Sequence, residues 1–417
     1  MNSLHIVNAR LLTPYRLIPQ GELLIENGRI ACVGQFCGSI RPEKGTARID
    51  AHGMHLAPGF VDIHVHGGGG GDVMDAKLSS LQRICTAHAI GGTTSLLLTT
   101  LTAPLDHVAA ALDTIESASH RSVLDARVLG AHLEGPFLNP MHAGAQNPES
   151  IVPPRETEYL PLLASHPSIL RVTLAPEIPG GLTLAGHLRD RGILASIGHS
   201  GATYQQVLAA TEAGCTHVTH MFCGMGSVTK VNGYRVSGVV ESTLLLDSLT
   251  TEMIGDGHHL PPSLALLLLK AKPGAVALVT DAISATGEDL GTHQLGGLQI
   301  LVEHTVPAEF EEEPPGAVAK LRDRSAFAGS VSTMNQLVRF MTQAVGVPLA
   351  SAVQMATTIP ARIVGRSDIG ILAPGALGDV VMFDDRLDVA LTAVEGRIIY
   401  RNPSHDELTW EAQGGGE

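Results

Sequence analysis

Eight apolar, strand-like runs recur through the middle of this 417-residue chain: GFVDIHVH (59–66), TTSLLLTT (93–100), ARVLGAHLE (126–134), LRVTLAPE (170–177), ILASIGH (193–199), CTHVTHMF (215–222), TEMIGDG (251–257) and AVALVTDA (275–282). Segments of helical period separate them; Leu78, Leu81, Ile84, Cys85 and His88 fall on one helical face. Eight continuous strands alternating with helices over about 220 residues are what a closed parallel (β/α)8 barrel of the TIM type requires. The alternative is a doubly wound open sheet, and no G-x-G-x-x-G follows the first run. The two ends read differently. Residues 1–57 are short strands with Asn27-Gly28 at a type I′ hairpin, and 378–402 repeat the style around Glu395-Gly396. The expectation is α/β: a barrel over 58–370, a small β-sandwich domain from 1–57 plus 371–410, and a flexible tail at 411–417. The acidic, proline-rich stretch 309–316 reads as a solvated loop.

Composition narrows the partners. With 27 Lys plus Arg against 41 Asp plus Glu, a net charge of −14 and no basic cluster, nucleic acid is a poor partner. No apolar stretch approaches the roughly 18 residues a membrane span needs, and no signal peptide is evident at the start. The five cysteines include no C-x-x-C pair. They read as neither a disulfide framework nor a cysteine-type zinc site, which suits a cytoplasmic protein. The 20 His outnumber 8 Phe, 5 Tyr and 1 Trp together, which invites a search for a metal site.

Polar residues inside strands buried on both faces are costly unless used. Here they fall at carboxyl ends: His64 and His66 in the first run, Glu134 in the third, His199 in the fifth, His220 in the sixth, Asp281 in the eighth. Barrel enzymes build their sites at that end. Positions i and i+2 of a strand share a side, so His64 and His66 can reach one ion together. Imidazoles with a carboxylate form a catalytic-zinc type of field. Zn is the first expectation, with Fe, Co or Mn as alternatives. His132 reads as structural, one layer deeper. His217 also reads as structural, facing away from His220. Glu177 is left open, as is the Gly67–Gly71 run, either a close-approach loop or a turn.

At these residues the chain resembles the N-acetylglucosamine-6-phosphate deacetylases of the amidohydrolase superfamily. The resemblance runs through APGFVDIHVHG (57–67), HLEGPF (132–137), GAQNP (144–148), TLAPE (173–177), GHS (198–200) and THMF (219–222). It continues in DGHH (256–259), LVTDA (278–282), AGSVSTM (328–334) and MATTIPAR (355–362). The resemblance implies a (β/α)8 barrel with a small β-sandwich. It implies metal-activated water attacking the acetamide of an N-acetylated amino sugar, releasing acetate. Glu134, His199 and His220 become ligands of the main metal and Asp281 the catalytic base and acid. His259 and Arg235 become substrate contacts, including phosphate contacts across a homodimer interface.

Two departures stand out. Some family members lack the H-x-H pair, bind one metal and use a His where Gln146 stands here to polarise the carbonyl. A second metal held by His64 and His66 would make that His dispensable, with Glu134 bridging two ions. In THMFCGM, Cys223 and Gly224 replace the family's usual Asn-Ala, where substrate contacts sit. Recognition of a phosphate would then be local, through Arg235, His259 and Lys230. Two rival readings stay in view. One is a deaminase or hydrolase of a different, non-phosphorylated N-acyl substrate, although the fourth run lacks the lysine that cyclic-amide enzymes carboxylate. The other is a barrel that has lost catalysis.

Overall fold

In the computed structural model, residues 3–38, 42–43, 45–120, 124–305, 316–405 and 410–412 are described. The eight expected runs form one parallel sheet in sequential order: Phe60–Val65, Thr93–Thr99, Arg127–Glu134, Ile169–Leu174, Leu194–Ile197, Cys215–Val218, Thr250–Ile254 and Val276–Val279. The last strand returns to the first through the amide of Asp281 donating to His64 O at 3.0 Å and that of His66 to Ala282 O at 2.8 Å. The (β/α)8 barrel thus closes at the mouth, beside the candidate ligands. Its apolar residues are buried as the continuous runs demanded; Leu96, Leu97 and Leu98 are all inaccessible. The helix Leu78–Ile90 buries Leu81, Ile84, Cys85 and His88 against it.

Both termini meet in a second sheet. Val380–Phe383 runs antiparallel to His55–Pro58, which lies parallel to Leu4–Leu12. Leu4–Leu12 also pairs with Leu17–Glu26 and Ala47–Asp50, so the sheet forks and folds over its own core of Ile6, Leu23, Ile25 and Ile49. The two hairpins carry the expected left-handed pairs, Asn27 (φ 52) with Gly28 (φ 78), and Glu395 (φ 48) with Gly396 (φ 71). Trp410–Ala412 pairs with Ala47–Asp50, so a strand runs two residues into the stretch expected to be tail. Arg127 ties the two sheets together, pairing with Asp379 and, at 2.7 Å, with Glu395.

Two features were not foreseen. Cys32 and Cys37 are joined in a disulfide, with Cα atoms 5.9 Å apart. This corrects the reading of the cysteines: the chain turns after the strand Arg29–Gly34 and brings back a partner five residues on, a spacing that C-x-x-C does not cover. Cys85, Cys215 and Cys223 are free. The other feature is a three-stranded antiparallel sheet, Gly291–Leu295, Leu298–His304 and Ala317–Leu321, with its own small core. It follows the eighth barrel strand and covers one side of the mouth. Of the stretch 309–316, all but Gly316 lies outside the described residues. Among the described residues, no helix is long and apolar enough to cross a membrane.

Candidate active site

The strand ends deliver their polar side chains to one place. His199, His220 and Asp281 each lie two residues beyond their strands, not within them as expected, with positive φ (46°, 22° and 49°). His and Asp tolerate that conformation better than most side chains, and here it turns each side chain over the barrel mouth. Glu134 ends the third strand and faces two imidazole pairs, one with each oxygen. Its Oε2 is 3.4 Å from His64 Nε2 and 3.2 Å from His66 Nε2. Its Oε1 is 3.5 Å from His199 Nε2 and 3.1 Å from His220 Nε2. Asp281 Oδ1 lies 3.5 Å from His64 Nε2 and 3.2 Å from His66 Nε2.

Within each pair the Nε2 atoms face each other, at 3.2 Å for His64 and His66 and 3.1 Å for His199 and His220. Three of these rings meet an acceptor at the other nitrogen: Glu252 for His64, Thr99 O for His66 and His142 O for His199. Such acceptors place the ring hydrogen on Nδ1 and leave lone pairs converging at Nε2. Facing lone pairs repel unless a positive charge lies between them. The separations suit donors sharing an ion at about 2.0–2.1 Å. The two groups, His64–His66–Glu134 and Glu134–His199–His220, therefore fit divalent cations.

Electrostatics agree. Burial alone would lower His64, yet Glu134, Asp281 and Glu252 hold it well above the imidazole range. Burial opposes His66 too, but hydrogen bonds to Asp281 and Glu134 raise it to about 9. Against burial, the facing histidines keep Glu134 well below the carboxylate range, and His64 and His66 lower Asp281. The site calls for positive charge.

Above these groups opens a cavity of about 230 Å³, with His66, Glu134, His199, His220 and Asp281 at its base. Gln146, Cys223, Gly224 and His259 stand in its walls, and Leu101, Ile254, Leu295 and Phe327 add apolar surface. Gln146 donates from Nε2 to Glu134 Oε2 at 2.8 Å and accepts from Thr102 N. Burial beside Asp281 and Asp256 pushes the Cys223 thiol up. His259 Nδ1 bonds Asp256 at 2.8 Å, and its ring packs on Phe327. Burial would lower His259, but Asp256 raises it.

Arg235 is not brought here. It lies opposite Lys230 on an exposed hairpin, Thr229–Val231 with Tyr234–Val236, and neither lines the cavity. Glu177 also stands apart, holding a loop by accepting from Asn139, Ser200 and Gly201 N. Gly67 makes a close approach to backbone: a Cβ there would sit 2.4 Å from Ser284 N, behind the Asp281 loop. His132 is structural as expected, bonded to Thr99 and Thr173. His217 is buried and hydrogen-bonded to Thr250 and Glu252, in keeping with the structural reading, but the direction expected of it, away from His220 and so out of the barrel, needs correction. It does not face outward but lies in the barrel interior against Glu252, at 3.3 Å, because the strand ends at Val218 and the following turn breaks the alternation.

Sequence reasoning missed Glu252 and Arg171. Both lie inside barrel strands and are fully buried, with Arg171 forking onto both oxygens of Glu252. The criterion that found the histidines, a charge inside a strand buried on both faces, would have found this pair.

Residues 55–403 match the amidohydrolase family. The chain is 33% identical to an N-acetylgalactosamine-6-phosphate deacetylase of Escherichia coli O157:H7, over 94% of this chain and 99% of the relative. It is 32% identical to an N-acetylglucosamine-6-phosphate deacetylase of Bacillus subtilis, over 97% and 99%. A mutant N-acetyl-D-glucosamine-6-phosphate deacetylase from Mycobacterium smegmatis, in complex with N-acetyl-D-glucosamine-6-phosphate, superposes with a TM-score of 0.84. That match has 30% identity and covers 95% and 99% of the two chains. The chain belongs to the amidohydrolase family and, within it, to the N-acetylglucosamine-6-phosphate deacetylases.

Proposed function

We propose that this protein hydrolyses the acetamide of an N-acetylated amino sugar 6-phosphate, N-acetylglucosamine 6-phosphate first, to the free amine and acetate. The observation that carries this reading is Glu134 facing an imidazole pair with each oxygen, beside Asp281 and open to the cavity. His64, His66, Glu134, His199 and His220 would hold two divalent cations, zinc first, with Glu134 shared between them. Bound there, such ions supply Lewis acidity that lowers the pKa of water toward about 7 and polarises a carbonyl.

The chain's own groups do the rest. Asp281 is ionised and acceptor-only, with Oδ1 turned to His64 and His66. Its Oδ2 takes the proton of the attacking water and returns it to the amide nitrogen, which leaves as amine. Gln146 holds Glu134 in place. His259, kept oriented by Asp256, presents Nε2 to the substrate's hydroxyl or phosphate oxygens. Leu101, Ile254 and Leu295 give the acetyl methyl and ring C–H groups an apolar wall. Arg235, on its exposed hairpin, serves a phosphate held in a second copy's cavity, which makes the homodimer the working unit.

A second reading is a non-phosphorylated N-acyl substrate. It is favoured by the absence of Lys or Arg from the described cavity walls. Acetate release compared across N-acetylglucosamine 6-phosphate, N-acetylgalactosamine 6-phosphate and unphosphorylated N-acetylglucosamine separates the two. The first reading expects kcat/KM at least 100-fold higher for a phosphorylated sugar. Equal or reversed preference selects the second, and no acetate from any of them refutes both.

A further inference from the structure

Glu252 stands at the junction of the two imidazole pairs without touching the cavity. Its Oε1 accepts from His64 Nδ1 at 2.8 Å and from the backbone amide of His220 at 3.2 Å. One carboxylate oxygen thus contacts a ligand of each group. Arg171 clamps the carboxylate from below, Nη1 to Oε2 at 2.6 Å and Nη2 to Oε1 at 2.9 Å. Arg171 is itself fixed by Ile63 O and Thr219 Oγ1. His217 Nε2 adds a bond to Oε2 at 3.3 Å. The other two Nδ1 acceptors in the site are backbone carbonyls, Thr99 O and His142 O. His64 alone leans on a charged group, and one whose geometry a second side chain enforces.

We infer that Glu252, locked by Arg171, is the positioning residue of the metal centre: it fixes His64 with its hydrogen on Nδ1 and pins the His220 turn, aligning both groups at once. The inference rests on the metal centre proposed above. An acceptor at Nδ1 decides which nitrogen carries the lone pair and which way the ring points. A carboxylate also makes the imidazole a stronger donor than a carbonyl does. His220 leaves a strand that ends at Val218 and takes a φ of 22°, a conformation that needs outside support; the hydrogen bond its backbone N–H donates to Glu252 Oε1 supplies it.

The test uses the full-length protein, with zinc affinity read by chelator competition. Glu252→Gln keeps the size and removes the charge. It is expected to weaken zinc binding 10–100-fold at the tier lost in a His66→Asn control, and less at the tier lost in a His199→Asn control. Proton NMR of the zinc-loaded protein should show the His64 Nδ1–H signal moving upfield as its charged acceptor is replaced by a neutral one, a change that general destabilisation would not produce. Glu252→Gln leaves Arg171 charged and unpaired in the core, so Arg171→Met/Glu252→Gln removes both charges and protects folding. The same loss of affinity is expected in the folded double variant. Wild-type affinity at both tiers in either folded variant overturns the inference. If the wild-type protein binds a single ion, the two-metal reading fails by itself. In that case a tenfold weakening of that ion in Glu252→Gln supports the positioning role and an unchanged affinity overturns it.

Discussion

Gln146 hands its Nε2 to Glu134 Oε2 at 2.8 Å while its own Oε1 takes the amide of Thr102. The oxygen it holds is the one facing His64 and His66, so Gln146 aligns the half of Glu134 that serves the second imidazole pair. Gln146→Ala removes that donor and leaves the buried Thr102 amide without its acceptor. A fall in kcat/KM of about 10- to 100-fold, or about 1.4–2.7 kcal/mol, is expected with two metals retained. Steady-state acetate release with metal analysis checks it.

Gly224 lies against His199. Its φ is 56°, and a Cβ there would stand 2.9 Å from His199 Nδ1 and 3.4 Å from His142 O. The ring and its acceptor occupy the space a side chain would need. Gly224→Ala should displace His199 and lower metal occupancy at the Glu134–His199–His220 group to below half, with turnover falling in parallel. Metal content after dialysis reads this directly; full occupancy would disprove the steric account.

Asp281→Asn preserves shape while removing proton acceptance. The variant should retain metal, because Asp281 is outside both candidate ligand groups. Its kcat should fall by at least about 10³-fold. Activity within tenfold of wild type would remove Asp281 from the base role.

His88 offers a pH test away from the site. It is buried, bonds Gly67 O at 3.0 Å through Nε2, and has no hydrogen-bond partner at Nδ1 among the described residues. Burial holds its pKa down to about 4, against the 6.5 of a freely solvated histidine. Between these values the unfolded chain binds the proton and the folded chain does not. Its contribution is therefore complete above pH 6.5 and lost as pH falls toward 4. His88→Gln keeps an amide donor near the same point without titrating. From pH 7.5 to 5, urea unfolding should show the wild type losing about 2 kcal/mol relative to the variant.

The barrel was legible because a strand buried on both faces must be continuously apolar, and each ligand stood out as an exception at a strand end. Glu134, His64 and His66 were readable for that reason. His217 was misplaced because period-two reasoning needs an unbroken strand, and the strand stops at Val218. Glu252 and Arg171 carried the same signal, a charge inside a doubly buried strand, but they stand within their strands and not at the carboxyl ends where ligands were sought; only their pairing across the barrel, from strand four to strand seven, needed the fold. The sheet 291–321 was unread because short amphipathic strands beside an acidic stretch resemble loop.

The most direct measurement is acetate release from N-acetylglucosamine 6-phosphate by chelator-stripped protein titrated with zinc. Turnover should be absent without the ion and reach its full value at two equivalents per chain. Turnover in the stripped protein, or full turnover at one equivalent, would contradict a centre built from both imidazole pairs with Glu134 between them.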